Sequence, residues 1–256
     1  MNKLIFSLIG VFLILNLAKG QDNFKIGNEE FLKGNYAKAI EYYSLDIDKS
    51  PSYSAYYNRG SAYSNLEKFN DAISDFTQAI KLEPDSAKAY YQRGCTYDNL
   101  KRYNESVKDY TEAIQLNPDF DSYCNRGYAY IHLKKYTEAI SDYTKANELK
   151  PYNAGPYYCL GYTYLELKDY SKAEINQKKC LELDPKCFQA MINLSLLYYE
   201  KQNYDDSKKW MINAFGVDVR LSRGIEAIKL FENDGSLYYS DDKNDELEKI
   251  FDMLND

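Results

Sequence analysis

The chain has 256 residues, 45% of them hydrophobic, and carries a formal net charge of -7. It is long and apolar enough to bury a substantial core, and its make-up is neither that of a disordered chain nor that of a collagen-like one. An acidic excess of 39 carboxylates over 32 basic side chains disfavours phosphate backbones and anionic lipid surfaces. Nucleic acid is therefore not an expected partner.

Residues 1–20 carry Lys3, an apolar run from Leu4 to Leu17, and small residues at Ala18 and Gly20. That order predicts a secretory signal peptide cut before Gln21. The run is broken by Ser7 and Asn16 and falls short of the roughly 20 apolar residues that span a bilayer. No membrane insertion is expected after cleavage, and the expected location is outside the cytoplasm, in the periplasm, the cell envelope or the extracellular space.

From there the sequence repeats itself every 33 to 34 residues. One column runs Gly27, Gly60, Gly94, Gly127, Gly161 and then Ser195. A second runs Ala39, Ala72, Ser106, Ala139, Ala173, Ser207. A third, Pro51, Pro84, Pro118, Pro151, Pro185, lapses at Val219, and a fourth is aromatic: Tyr36, Phe69, Tyr103, Tyr136, Tyr170, Tyr204. Within one copy, Tyr56, Gly60, Tyr63 and Leu66 recur at spacings of three and four, as do Ala72, Ile73, Phe76, Ala79 and Ile80. Each set is the buried stripe of a helix. The second helix ends before its proline, which disfavours helical geometry at the residue preceding it. Polar turns such as Glu67-Lys68 and Lys134-Lys135 join the two helices, and the glycine and alanine columns are expected to face each other where they cross.

The copies lie at about 20–52, 53–86, 87–119, 120–153, 154–187 and 188–221, with a helical cap over 222–256. In the cap, Ile225, Ile228 and Phe231 predict one helix; after Asp234-Gly235, Leu247, Ile250, Phe251 and Leu254 predict an amphipathic last one. Arg59, Arg93 and Arg126 precede the glycine in the middle three copies, and Asp75, Asp109 and Asp142 share one column of the second helix in those same copies. An Arg/Asp pair inside each of these repeats is expected.

This pattern of small residues at the crossing, aromatics at fixed offsets and a closing proline resembles the tetratricopeptide repeat, over about Gly20 to Leu221. The resemblance implies an all-α, right-handed superhelical solenoid of about six antiparallel helix pairs, its concave face lined mainly by the first helix of each repeat. It also implies a protein that binds proteins or peptides.

Most of the 28 tyrosines fall in packing columns. Among those that do not, Tyr57, Tyr91 and Tyr158 share one column of the first helix, and Tyr128 and Tyr162 share another, four residues on. Beside them runs a polar column, Asn58, Gln92 and Asn125, interrupted by Cys159 and resumed at Asn193. By the resemblance these columns face the groove. Amides donate to and accept from a peptide main chain at once, and tyrosine supplies rigid, amphipathic contact area. A peptide-binding groove is expected at Tyr57, Asn58, Tyr91, Gln92, Asn125, Tyr128, Tyr158 and Tyr162.

Some tetratricopeptide proteins grip a terminal carboxylate with two Lys, two Asn and one Arg. This chain matches at Asn28, Asn58 and Lys88 but has Phe24 and Gln92 at the other two positions. Losing two of three cations removes most of that attraction.

Catalytic patterns are missing. There is one histidine, His132, expected half-exposed near the end of a first helix, and no Gly-rich phosphate loop, metal-spaced Cys pair or nucleophile motif. Neither an enzyme activity nor a cofactor or metal is expected. The five cysteines, an odd number, suit free, buried fillers better than a disulfide framework. Asn104 and Asn193 begin glycosylation sequons. The leading expectation is a non-catalytic adaptor; the alternative is an architectural or self-assembling scaffold of the cell envelope.

Overall fold

The computed structural model describes residues 22–217 and 241–255, and every regular element among them is a helix. The signal segment and the first cap helix expected near Ile225 lie outside the described residues. The chain divides between Asn117 and Pro118 into two compact units.

The first unit holds three helix pairs: α1 (Asn23–Leu32) with α2 (Tyr36–Lys49), α3 (Tyr53–Asn65) with α4 (Phe69–Leu82), and α5 (Ala87–Asn99) with α6 (Tyr103–Leu116). Each second helix packs on the first helix of the following pair, and consecutive first helices also touch. The second unit holds α7 (Phe120–His132) with α8 (Tyr136–Leu149), α9 (Ala154–Glu166) with α10 (Tyr170–Leu183), and α11 (Phe188–Glu200) with α12 (Tyr204–Val217). The last helix, α13 (Asp241–Asn255), lies against both α11 and α12.

Local chemistry sets the ends of these helices. Ser52, Ser86, Asp119 and Asn153 each accept a hydrogen bond from a backbone N–H of the first turn they precede. Such caps satisfy donors that the helix itself leaves unpaired. The second helices stop at Ser50, Glu83, Asn117, Lys150 and Asp184, the residues immediately before the proline column.

The turn inside each pair has a feature that the polar turn residues alone did not indicate. Glu67, Lys101, Lys134, Lys168 and Gln202 sit at φ of 55° to 58°, in the left-handed region. The following N–H returns to the helix, as Lys68 N–H donates to Tyr63 O at 2.9 Å, the geometry of a helix C-terminal cap. Gly34 holds the equivalent position of the first pair at φ 79°. Aligning it with the other five would have revealed the conformation from sequence.

The glycine and alanine columns meet at the crossing as expected, a Cβ on Gly60 standing 3.3 Å from Ala72 O. The nearest atoms to each glycine, however, belong to the large side chain four residues beyond the alanine. A Cβ added to Gly27 would stand 2.7 Å from the Tyr43 ring, one on Gly60 3.0 Å from Phe76, one on Gly94 2.8 Å from Tyr110, and one on Gly127 3.0 Å from Tyr143. These rings are essentially fully buried, each contributing about 2–3 kcal/mol by leaving water. The glycine is thus the socket for a ring. In the sixth pair both change together: Ser195 replaces the glycine and Met211 the ring. Ser195 Oγ donates to Ser207 O at 2.8 Å and Ser207 Oγ to Ser195 O at 2.9 Å.

The Arg/Asp pairs form as expected. Arg59, Arg93 and Arg126 each make a two-pronged contact with Asp75, Asp109 and Asp142 at 2.7–2.8 Å. Flanking tyrosine rings lie under the guanidinium groups, Tyr56 and Tyr63 at 5.6 and 5.9 Å from Arg59 and Tyr90 at 5.7 Å from Arg93. Two of the arginines also reach back to the preceding pair: Arg59 Nη1 donates to Ser44 Oγ and Arg93 Nη1 to Thr77 Oγ1, both at 2.9 Å. One guanidinium therefore fastens three helices. Burial pushes the Asp75 carboxyl upward, against the pull of Arg59.

Candidate functional site

In the first unit the structure brings three of the expected residues together. Asn58 Nδ2 donates to Asn28 Oδ1 at 2.8 Å, and Tyr43 Oη donates to the same oxygen at 2.8 Å. Burial pushes the Tyr43 phenol up to about 12, so it stays a neutral donor across the physiological range. Tyr57 is half-buried, stacked on Tyr53 at 5.6 Å and edge-on to Phe76 at 5.7 Å. Burial also raises its phenol, and a hydrogen bond with Gln92 partly offsets that. The amides of consecutive first helices are thereby held in one row, with the tyrosine locked beside them.

Around this row lie two adjoining clefts. One, of roughly 420 Å³, is lined by Asn28, Phe31, Leu32, Tyr43, Tyr57, Asn58 and Ser61. The other, of roughly 300 Å³, is lined by Phe31, Ser61, Ser64, Asn65 and Gln92. Phe31 and Ser61 belong to both. Leu32 is 85% exposed at the mouth of the larger one. Tyr91 contributes less directly, since its ring lies against buried Tyr110 at 5.9 Å.

Sequence reasoning named Asn28 only as part of a carboxylate grip and missed Phe31, Leu32, Ser61, Ser64 and Asn65. A signal for Ser61 existed, because it stands in the same repeat column as Tyr128 and Tyr162. The grip itself keeps its two asparagines in contact, but at the position of its first lysine the ring of Phe24 packs on Tyr43 at 5.9 Å.

The other four expected residues belong to the second unit. Asn125 and Tyr158 are half-buried, and burial raises the Tyr158 phenol. Tyr128 is 41% exposed, its ring edge-on to His132 at 4.4 Å. His132 ends α7 and is half-buried, as expected.

Tyr162 requires a correction. It is only 4% exposed and belongs to the hydrophobic core with Leu165, Met191 and Leu196. Asn193, expected to resume the amide column, is buried too, at 1%. The cause is α11, where every residue from Ala190 to Leu197 is buried. It is enclosed by α9, by its own partner α12 and by α13, whose Leu247, Ile250 and Phe251 join the same core. The sequon at Asn193 is inaccessible in this fold, whereas Asn104 is exposed.

All five cysteines are free. Among the described residues, no group of three or more His, Cys, Asp or Glu side chains could hold a metal ion, and no helix is long and apolar enough to cross a membrane.

Tandem helical hairpins with small, ring-accepting crossings and an amide row on the first helices define a helical-repeat protein. Tetratricopeptide repeat profiles match residues 53–86, 87–120, 121–153 and 154–187 without a break. These matches span more than half of the sequence, and the chain belongs to the tetratricopeptide repeat family. Among curated proteins, sperm-associated antigen 1 of Rattus norvegicus is 37% identical over 62 residues, which are 24% of this chain and 7% of that protein. The chain thus spans only a small part of that relative. Among solved structures, MamA is 27% identical with a TM-score of 0.61, covering 63% of this chain and 95% of its own. YrrB, described as a tetratricopeptide repeat protein with an unusual peptide-binding site, is 19% identical with a TM-score of 0.61, covering 70% and 93%. That likeness is one of fold.

Proposed function

We propose that this protein is an exported, non-catalytic adaptor that holds an extended peptide or partner segment against the first helices of its repeats. The best-formed part of that surface is the pair of clefts around Tyr57, Asn58 and Gln92. The observation that carries the reading is that these clefts share Phe31 and Ser61. They present amides and hydroxyls beside apolar Phe31 and exposed Leu32. Such a mixture suits a peptide, whose main chain needs both donors and acceptors while its side chains need apolar contact.

Ser61 offers a clean test because it lines both clefts and its Oγ only donates back to Tyr57 O of its own helix, at 2.9 Å. Peptides enriched from a random display library on the wild-type chain should bind Ser61→Arg at least about tenfold more weakly, a loss of roughly 1.4 kcal/mol. The helical circular dichroism should be unchanged. Equal affinity for both chains, or no enrichment at all, would defeat the proposal. An oligomer joined through its terminal helices, with no peptide enriched, would favour the architectural alternative.

Export rests on the order of charge, apolar run and small residues within residues 1–20. N-terminal sequencing of the exported fraction should begin at Gln21; an intact Met1 in that fraction, or its retention in the cytoplasm, would contradict it.

A further inference from the structure

The two clefts of the first unit differ in chemistry. The larger is walled mainly by Phe31, Leu32, Tyr43 and Tyr57. The smaller sets Ser61, Ser64, Asn65 and Gln92 beside Phe31. Among the described residues, no Lys, Arg, Asp or Glu lines either cleft. A terminal carboxylate or a charged side chain drawn in would shed its water with no opposite charge to meet, which is costly. A neutral main chain sheds less and finds hydrogen bonds in return.

The second helix of the first pair decides which way the amide of Asn28 faces. Tyr43 leaves α2, seats its ring against Gly27 and ends with Oη donating to Asn28 Oδ1 at 2.8 Å. Asn58 Nδ2 donates to the same oxygen, also at 2.8 Å. Both donors hold the oxygen, so the planar amide turns Nδ2 and its protons away from them. Asn58 keeps its own Oδ1 as an acceptor, and Ser61 Oγ, which donates to Tyr57 O at 2.9 Å, can still accept. The larger cleft thus offers a donor and acceptors beside an apolar wall. In the second pair the ring on the glycine is Phe76, which has no hydroxyl to set an amide in this way.

Resting on the peptide-binding reading, we propose that the ligand is an internal, uncharged stretch of extended chain and not a chain terminus. It bears an apolar side chain for the larger cleft and, two residues away, a neutral polar one for the smaller. Side chains two apart in an extended chain share a face, and the two clefts adjoin through Phe31 and Ser61. Asn28 Nδ2 donates to a main-chain carbonyl of that stretch, and Tyr43 is the positioning residue that aims it.

The test presents two random peptide libraries to the full-length chain, one held between constant flanking sequences and one ending in a free carboxylate. Enrichment is expected from the first, with an apolar residue and a Ser, Thr, Asn or Gln two positions apart and no charge at either. A synthetic peptide of that consensus should bind within about twofold whether its C-terminus is amidated or free, and at least about tenfold more weakly when its apolar residue becomes Ala. Asn28→Asp keeps an oxygen where Tyr43 and Asn58 need one and removes the nitrogen. It should bind the same peptide at least about tenfold more weakly, with unchanged helical circular dichroism. Tyr43→Phe, which retains the ring, should cost about threefold alone and nothing further in Asn28→Asp, because the two residues act through one bond. Enrichment confined to free C-termini, a charged residue at either consensus position, or wild-type affinity in Asn28→Asp would overturn the inference and leave peptide binding itself standing. Additive losses in the double variant would overturn the positioning role of Tyr43. No enrichment from either library would defeat the peptide-binding reading and the ligand class together. The library arm uses the wild-type chain, so its outcome does not depend on how any variant folds.

Discussion

The first three helix pairs and the last two solve one packing problem by different chemistry. Pairs two and three are fastened by half-buried guanidinium groups that reach back one pair, and their first helices keep an amide-lined face open over two clefts. The fifth and sixth pairs have no such arginine. There the first helices α9 and α11 bury Tyr162, Met191, Leu196 and Leu197, and the C-terminal helix adds Ile250 and Phe251 to the same core. A directional polar fastener leaves the neighbouring face free for a ligand, whereas a non-directional apolar one consumes it.

The largest expected effect breaks the polar side of this contrast. Asp109→Ala would leave the Arg93 guanidinium without its two-pronged partner in a site where the carboxylate is buried. Stranding one member of a buried pair costs about 3–5 kcal/mol, so the urea midpoint of the variant should fall well below that of the wild type. A change under about 1 kcal/mol would show that the guanidinium finds water instead, and that the contrast is weaker than its geometry suggests.

A smaller effect sharpens the apolar side. Glu174 on α10 accepts from Lys178 at 2.6 Å, from Tyr198 at 2.8 Å and from Lys201 at 3.4 Å, the last two across the step to α11. The Lys178 bond first, then Tyr198, holds its carboxyl down at about 2. Since the folded value lies below the unfolded one, its contribution is complete above about pH 4.5 and is lost as pH falls toward 2. Glu174 is partly screened by solvent, so the loss should be at most about 1 kcal/mol. Chemical denaturation at pH 7 and pH 3 should show a smaller pH-dependent drop for Glu174→Gln than for the wild type. An identical drop in both would remove Glu174 from the link between the last two pairs.

What could be read from the sequence followed where repetition was strict. The Arg/Asp pairs were legible because both columns appear in the same three repeats and vanish together. The helix pairs were legible because spacing, cap residues and prolines agree. The meeting of the glycine and alanine columns was legible, but the ring seated on each glycine was not, because that contact is set by how far a side chain from the next turn reaches across the crossing. Burial of Tyr162 and Asn193 was missed for another reason. Column reasoning gives every repeat the same exposed face, but the apolar sequence of α11 overrides that rule, and covering by α13 is a long-range contact. The left-handed turns were hidden because five of the six carry a charged or polar residue where glycine would have been the cue.

The matched changes in the sixth pair bear on how such an array can be rearranged. Gly161 leaves no room for a Cβ against Gln177, whereas Ser195 coexists with Met211 and shares two hydrogen bonds with Ser207. A chimera joining the first helix of the sixth pair to the second helix of the fourth would press a serine side chain into the Tyr143 ring. The smallest portable module is therefore the complete hairpin. Duplication, deletion or grafting within this chain should succeed at the proline-marked joints between hairpins and fail when the cut falls at the turn inside one.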